Sequence, residues 1–199
     1  LNIEQMSNES YYKYFRSIPI DVKIIDYSEE NIEYFKNVYK NINLIPPIFY
    51  NNNKLNFKDI DILSLKNNEY RSNILESLIF DNCYRKMYFN EVYKNERDKL
   101  YNRSKIYINI HASKDHKTME LIRIINLLIN KVIVITQNSI NPELLFISKY
   151  LIICDKDYLL ETKVKEVLKN YNHYYENFFL GENLFNKNIY KKYLDEHIN

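Results

Sequence analysis

The sequence predicts an α/β protein made of two Rossmann-like lobes, the first small, followed by a helical tail. Two observations predict this. β-branched runs alternate with segments of helical period along nearly the whole chain, and the strand-like runs are almost continuously apolar. Strands separated by helices imply parallel pairing through crossovers, and strands without a polar face imply a sheet covered on both sides. A length of 199 residues allows one sizeable core or two small lobes.

In chain order, "LNIEQM" reads as a short strand and "SNESYYKYFRSI" as a helix capped by Ser7 or Asn8. "VKIIDYS" (22–28) reads as a buried strand, and "EENIEYFKNVYKN" as an amphipathic helix with Ser28 as N-cap and acidic residues in its first turn. "INLIPPIFY" is a third strand interrupted by Pro46 and Pro47, and "NNNKLNFK" (51–58) is the linker candidate.

A second series follows: strand "DIDILSL", helix "NEYRSNILESLIF", strand "YRKMYFNEVY", helix "NERDKLYNRS" and strand "KIYINI". A helix over about 117–130 leads to strand "KVIVIT", a short helix "NPELLFIS", strand "YLIICD" and helix "KDYLLETKVKEVLKNY". The tail is aromatic, amphipathic and helix-like. The expected organisation is a small lobe over 1–52, a Rossmann-like lobe over 53–170 and a helical tail over 171–199.

Composition bounds the function. Lys and Arg number 28 against 26 Asp and Glu, so no strongly basic field points to nucleic acid. The longest apolar runs are too short to cross a bilayer, and no charged-then-apolar leader opens the chain. Cys83 and Cys154 are isolated, which reads as reduced thiols in a cytoplasm. A single glycine, Gly181, against a usual share of about 7%, excludes Gly-rich phosphate loops. Asn, Lys, Ile and 20 Tyr suggest an AT-rich or viral genome rather than an RNA-stacking surface.

Parallel sheets bind ligands at the carboxyl ends of their strands. Those ends are expected at Tyr27–Ser28, Tyr50, Ser64–Lys66, Asn90–Glu91, His111–Lys117, Thr136–Asn138 and Asp155, and nearly all are polar. Polar loops are common at any sheet edge, so this points weakly.

"IEQM", "DYSEENI", "IPPIFY", "DIDILSLKNNEYR", "RSKIYINIH" and "MELIRIINLLINKVIVIT" stand in the order and spacing of a group of GT-B glycosyltransferases, which the chain resembles over most of residues 1–170. That group carries an EQ after a first-lobe strand, D-Y-S-x-x-N, an I-P before the linker, a basic helix start, N-I-H and an E-x-x-R helix. The resemblance implies that the second lobe holds a nucleotide-sugar, that the first holds the acceptor, and that the last helix returns to the first lobe. It implies a metal-independent hexosyltransferase, with the nucleotide-sugar as co-substrate and no other cofactor. Three departures from that group are read: the sequence opens at the EQ-bearing strand, so a first lobe without the customary initial βαβ unit is expected, Thr136–Gln137 stands for a Ser-Glu, and Ser64 for a glycine.

Asp115 or Thr118 is expected to cap the helix starting near 117, whose free amides suit a diphosphate. Glu120, in that helix's first turn, would accept bonds from both ribose hydroxyls, as the resemblance implies, or would merely complement the helix dipole. Arg123 shares its face and either orients Glu120 by an ion pair or touches the ligand. Arg71 would hold phosphate bidentately and stabilise the departing diphosphate, with Lys66 as a second cation; a solvated helix-start cation is the alternative. Asn90 and Glu91 complete the donor-side set.

His111 ends a core strand and is expected near the sugar or phosphate, or as a structural histidine. Asp26 is the acceptor-side carboxylate candidate, against simple loop capping. His111, His116 and Asp115 lack a recognised metal-ligand spacing, so no metal is expected. The expected partners are a nucleotide-sugar donor and a glycan or protein acceptor, with no nucleic acid and no membrane span. The aromatic tail would form any homo-oligomer seam. The leading reading is transfer of a sugar to a hydroxyl acceptor; the alternative is a degenerate, non-catalytic relative binding a nucleotide or a protein.

Overall fold

The computed structural model describes residues 18–21, 24–26, 32–33, 35–44, 57–90, 92, 94–115, 119–139 and 147–180, with the backbone alone for 24–26, 43–44 and 94. The chain divides into two compact units, residues 1–48 with 187–199, and residues 49–186. In the first unit, β1 (Ile24–Asp26) and β2 (Ile42–Leu44) pair in parallel, with Ile24 opposite Ile42. Phe35 and Tyr39, one helical turn apart, are buried with their rings 5.8 Å apart, and Ile18 and Ile42 pack against them. The expected "LNIEQM" strand, the helix after it, the Pro46–Pro47 segment and linker residues 51–56 lie outside the described residues. So do residues 141–146 and the tail beyond 180.

The second unit runs β3 (Ile60–Leu65), α1 (Glu69–Ser77), β4 (Lys86–Phe89), α2 (Lys94–Arg103), β5 (Ser104–Asn109) and α3 (Leu121–Ile129). It continues through β6 (Ile133–Gln137), a 3-10 turn at Ser148–Tyr150, β7 (Leu151–Cys154), α4 (Tyr158–Lys169) and α5 (Tyr171–Phe179). Five parallel strands stand in the order β4-β3-β5-β6-β7. The chain steps from β3 outward to β4, then returns past β3 to continue with β5, β6 and β7. This doubly wound order reverses direction between β3 and β5, where such sheets open a crevice.

The sheet's centre explains the unbroken apolar runs. Ile60, Ile62 and Leu63 of β3, Ile106 and Ile108 of β5, and Ile133, Val134 and Ile135 of β6 are fully buried between two helical layers. α3 presents Leu121, Ile124, Ile125, Leu127 and Leu128 to that core, each worth about 1.5–3 kcal/mol of transfer free energy when fully buried. The chain just after α1 lies beside α4, where the Ile79 amide donates to Glu161 Oε2 at 2.7 Å.

Two boundaries differ from expectation. α1 stops at Ser77 instead of reaching Phe80, because Leu78 turns extended (φ −83°, ψ 123°). That turn sends Phe80 into the core and leaves Ile79 outside. α3 begins at Leu121, not near 117. Its approach is a tight turn in which the Leu121 amide donates to Met119 O at 2.8 Å, and the first α-type bond is Ile124 N to Glu120 O at 3.1 Å. Buried Met119 anchors this turn.

α3 ends in a paired-bond turn: Lys131 N donates to Leu128 O at 2.9 Å and Val132 N to Leu127 O at 3.0 Å. The geometry requires a left-handed residue, and Lys131 takes it at φ 52° where glycine is usual.

Candidate functional site

The β3–α1 and β5–α3 connections meet over the reversal point. Asn68 makes the join: its Oδ1 caps α1 by accepting from Arg71 N at 2.9 Å, and its Nδ2 donates to Ala112 O at 2.9 Å. Arg71 is thereby aimed into the molecule. Its Nε donates to Ile110 O at 2.8 Å, Nη1 to Asn67 Oδ1 at 2.5 Å, and Nη2 to Glu120 Oε1 at 2.8 Å. Glu120 uses its other oxygen to accept from Arg123 Nη1, which also reaches Asn109 Oδ1 at 3.3 Å. The Arg71 side chain is 3% exposed and that of Glu120 16%.

Two guanidiniums on one carboxylate leave a net charge of +1 in a largely buried cluster. Burial lowers the Arg71 pKa, and Glu120's charge opposes that effect; an arginine stays charged regardless. A carboxylate has about four lone-pair sites, so Glu120 keeps acceptor capacity beyond its two arginines.

A second network adjoins it. Asn109 Nδ2 donates to Thr136 Oγ1 at 3.1 Å. Gln137 Oε1 accepts from the His111 amide at 2.7 Å, while its Nε2 donates to Asp157 Oδ1 at 2.6 Å and to Tyr70 Oη at 3.3 Å. His111 is buried, and its Nε2 lies 3.1 Å from Asn138 O, so that nitrogen carries the proton. Asn138 Nδ2 reaches Asp155 Oδ1 at 2.9 Å. One buried amide thus ties β5, α1 and the start of α4 to the end of β6.

On the β4 side of α1 lies an open groove of about 540 Å³, lined by Lys66, Asn67, Asn68, Ser72 and Asn90. Lys66 Nζ pairs with Glu76 Oε1 at 2.7 Å.

The structure therefore brings together Arg71, Glu120, Arg123 and His111 at one edge, with Lys66 and Asn90 in the adjoining groove. Asp26 ends β1 in the first unit. Glu91 and Thr118 lie outside the described residues, as does His116. Glu120 is corrected from first-turn residue to the N-cap position of α3, where its side chain makes no capping bond because both oxygens are drawn to arginines. Asp115 does not cap α3; it is exposed in the turn five residues before Glu120. Among the described residues, no group of three His, Cys, Asp or Glu side chains is placed to hold a metal ion, and no helix is long and apolar enough to cross a membrane.

Sequence reasoning missed Asn67, Asn68, Asn109 and Gln137, the neutral amides that hold the charged groups in place. Their signal was position at carboxyl strand ends.

Fold and site together define a doubly wound parallel α/β protein with a charged, largely buried cluster at the reversal point. No family model matches the chain, and no solved structure does. The "Uncharacterized protein R358" of Acanthamoeba polyphaga mimivirus is 30% identical over 206 residues, covering 100% of this chain and 70% of the relative. The chain belongs to the family of that viral protein.

Proposed function

We propose that the second unit binds a nucleoside diphosphate sugar and that the protein is a glycosyltransferase moving the sugar to a hydroxyl acceptor. The observation that carries this reading is the 2.8 Å contact between Arg71 and Glu120, contributed by different crossovers on either side of the reversal point. A diphosphate is attracted by the residual positive charge, and a ribose diol by the remaining lone pairs of Glu120. Arg71 would stabilise the leaving diphosphate, with Arg123 and His111 supporting the crevice wall. Lys66, Asn90, Glu91 and Thr118 remain donor-side candidates. Asp26 remains the acceptor-side carboxylate candidate, which inversion would use as a base and retention would not. A cytoplasmic location and a homo-oligomer belong to the same proposal.

A second reading has its own support. Arg71 is spent on Ile110, Asn67 and Glu120, which suits a structural clamp in a non-catalytic nucleotide- or protein-binding relative. Thermal-shift screening against UDP-, GDP-, dTDP- and CMP-sugars separates the readings, since a ligand at 100 times its Kd stabilises by about 2.7 kcal/mol. A rise with one nucleotide, together with sugar release or transfer, supports the enzyme. A rise without turnover supports the binding protein, and no rise with any nucleotide sinks the donor site.

A further inference from the structure

We propose that the groove beside α1 holds a neutral, polyhydroxylated ring, a pyranose, rather than phosphate. The inference deepens the donor-site reading and rests on it only for which molecule brings the sugar. The groove is lined by three amides, one hydroxyl and one ammonium. Among its described lining residues the one cation, Lys66, is paired with Glu76, and neighbouring Arg71 is turned inward onto Ile110 and Glu120. A phosphate here would bring at least one full negative charge and more acceptors than donors. Among the described residues it would meet no unpaired cation.

What the lining offers is mixed. Asn67 Oδ1 is held by Arg71, which fixes the amide and leaves Nδ2 as donor. Ser72 Oγ donates to Asn68 O at 2.9 Å and keeps its lone pairs as acceptor. Asn90 is exposed, and an exposed amide offers both a donor and an acceptor. Sugar hydroxyls both donate and accept, so alternating donors and acceptors match them where they would not match an anion. Asn67 and Ser72 are already fixed by internal bonds, which reduces the ordering cost of binding. The volume falls within the roughly 300–1,000 Å³ of small-molecule sites. Asn67 lines the groove and also accepts from Arg71, so the groove adjoins the charged cluster.

The test is side-chain amide NMR on the full chain. Methyl glycosides of glucose, galactose, mannose and N-acetylglucosamine, inorganic phosphate, and nucleoside diphosphates are titrated separately. At least one glycoside is expected to shift the Asn67 and Asn90 side-chain signals saturably, and phosphate is not. Asn90→Ala should weaken that glycoside about tenfold with an unchanged melting temperature. Shifts with phosphate alone, or with neither, overturn the proposal. Glycoside binding without any nucleotide response leaves the groove standing while the donor reading falls. Competition by a nucleotide-sugar identifies the ring as the donor's; simultaneous binding identifies it as an acceptor's.

Discussion

Glu120 carries two arginines, and the asymmetry of that arrangement can be measured. Glu120→Gln leaves two guanidiniums facing each other in a largely buried cluster, and removing one partner of a buried ion pair costs about 3–5 kcal/mol. Arg123→Met leaves the Arg71–Glu120 pair electrically balanced and should cost less, about 1–2 kcal/mol. Urea unfolding of the two variants checks the order; equal losses would mean that the charge balance does not matter. Lys58 poses the opposite problem at the other end of the sheet. Its Nζ donates to Asn130 O at 2.7 Å, and burial, helped by Lys131, lowers its pKa from 10.5 to about 7. The folded state therefore binds fewer protons than the unfolded chain between about pH 7 and 10.5, so this residue's contribution to stability rises with pH across that window. It is lost as pH falls toward 7. The stability of the native protein relative to Lys58→Met should grow from pH 7 to pH 10, whatever the offset at pH 7. A flat difference would refute the assignment.

At the level of elements, a chain with one glycine must close its helices by other means. The α3 turn puts Lys131 at φ 52°, a conformation in which a side chain costs about 1 kcal/mol relative to glycine. The same residue adds a positive charge beside Lys58. Lys131→Gly removes both penalties and should stabilise by about 1 kcal/mol in chemical denaturation, with the Lys58 pKa moving up; destabilisation would mean that its side chain makes a compensating contact. The strands were legible for a simple reason. "KVIVI" and "KIYINI" lie in the sheet centre, where both faces are buried, so an unbroken apolar run has one reading. The start of α3 was not legible. The hydrophobic spacing of "MELIRI" is continuous across a tight turn at Met119, and periodicity does not register a bond from Leu121 N to Met119 O. The charged members of the crevice stood out because Glu and Arg at fixed spacing attract notice. The amides that hold them, Asn67, Asn68, Asn109 and Gln137, are invisible in a chain where asparagine is abundant everywhere.

For the molecule as a whole, the strand order decides where chemistry can occur. The reversal between β3 and β5 brings the start of α1, which carries Arg71, and the turn that carries Glu120 together at the carboxyl ends of the central strands. The same order leaves β4 at a margin, pairing with β3 alone among the described residues. Its outward row of amides and carbonyls is a template on which a stray extended segment could polymerise. The exposed row is only four residues long and opens with the ammonium of Lys86, so it gives an incoming chain little length to zip against and a charge to bury. That margin helps keep neighbouring copies of the protein from seeding fibres.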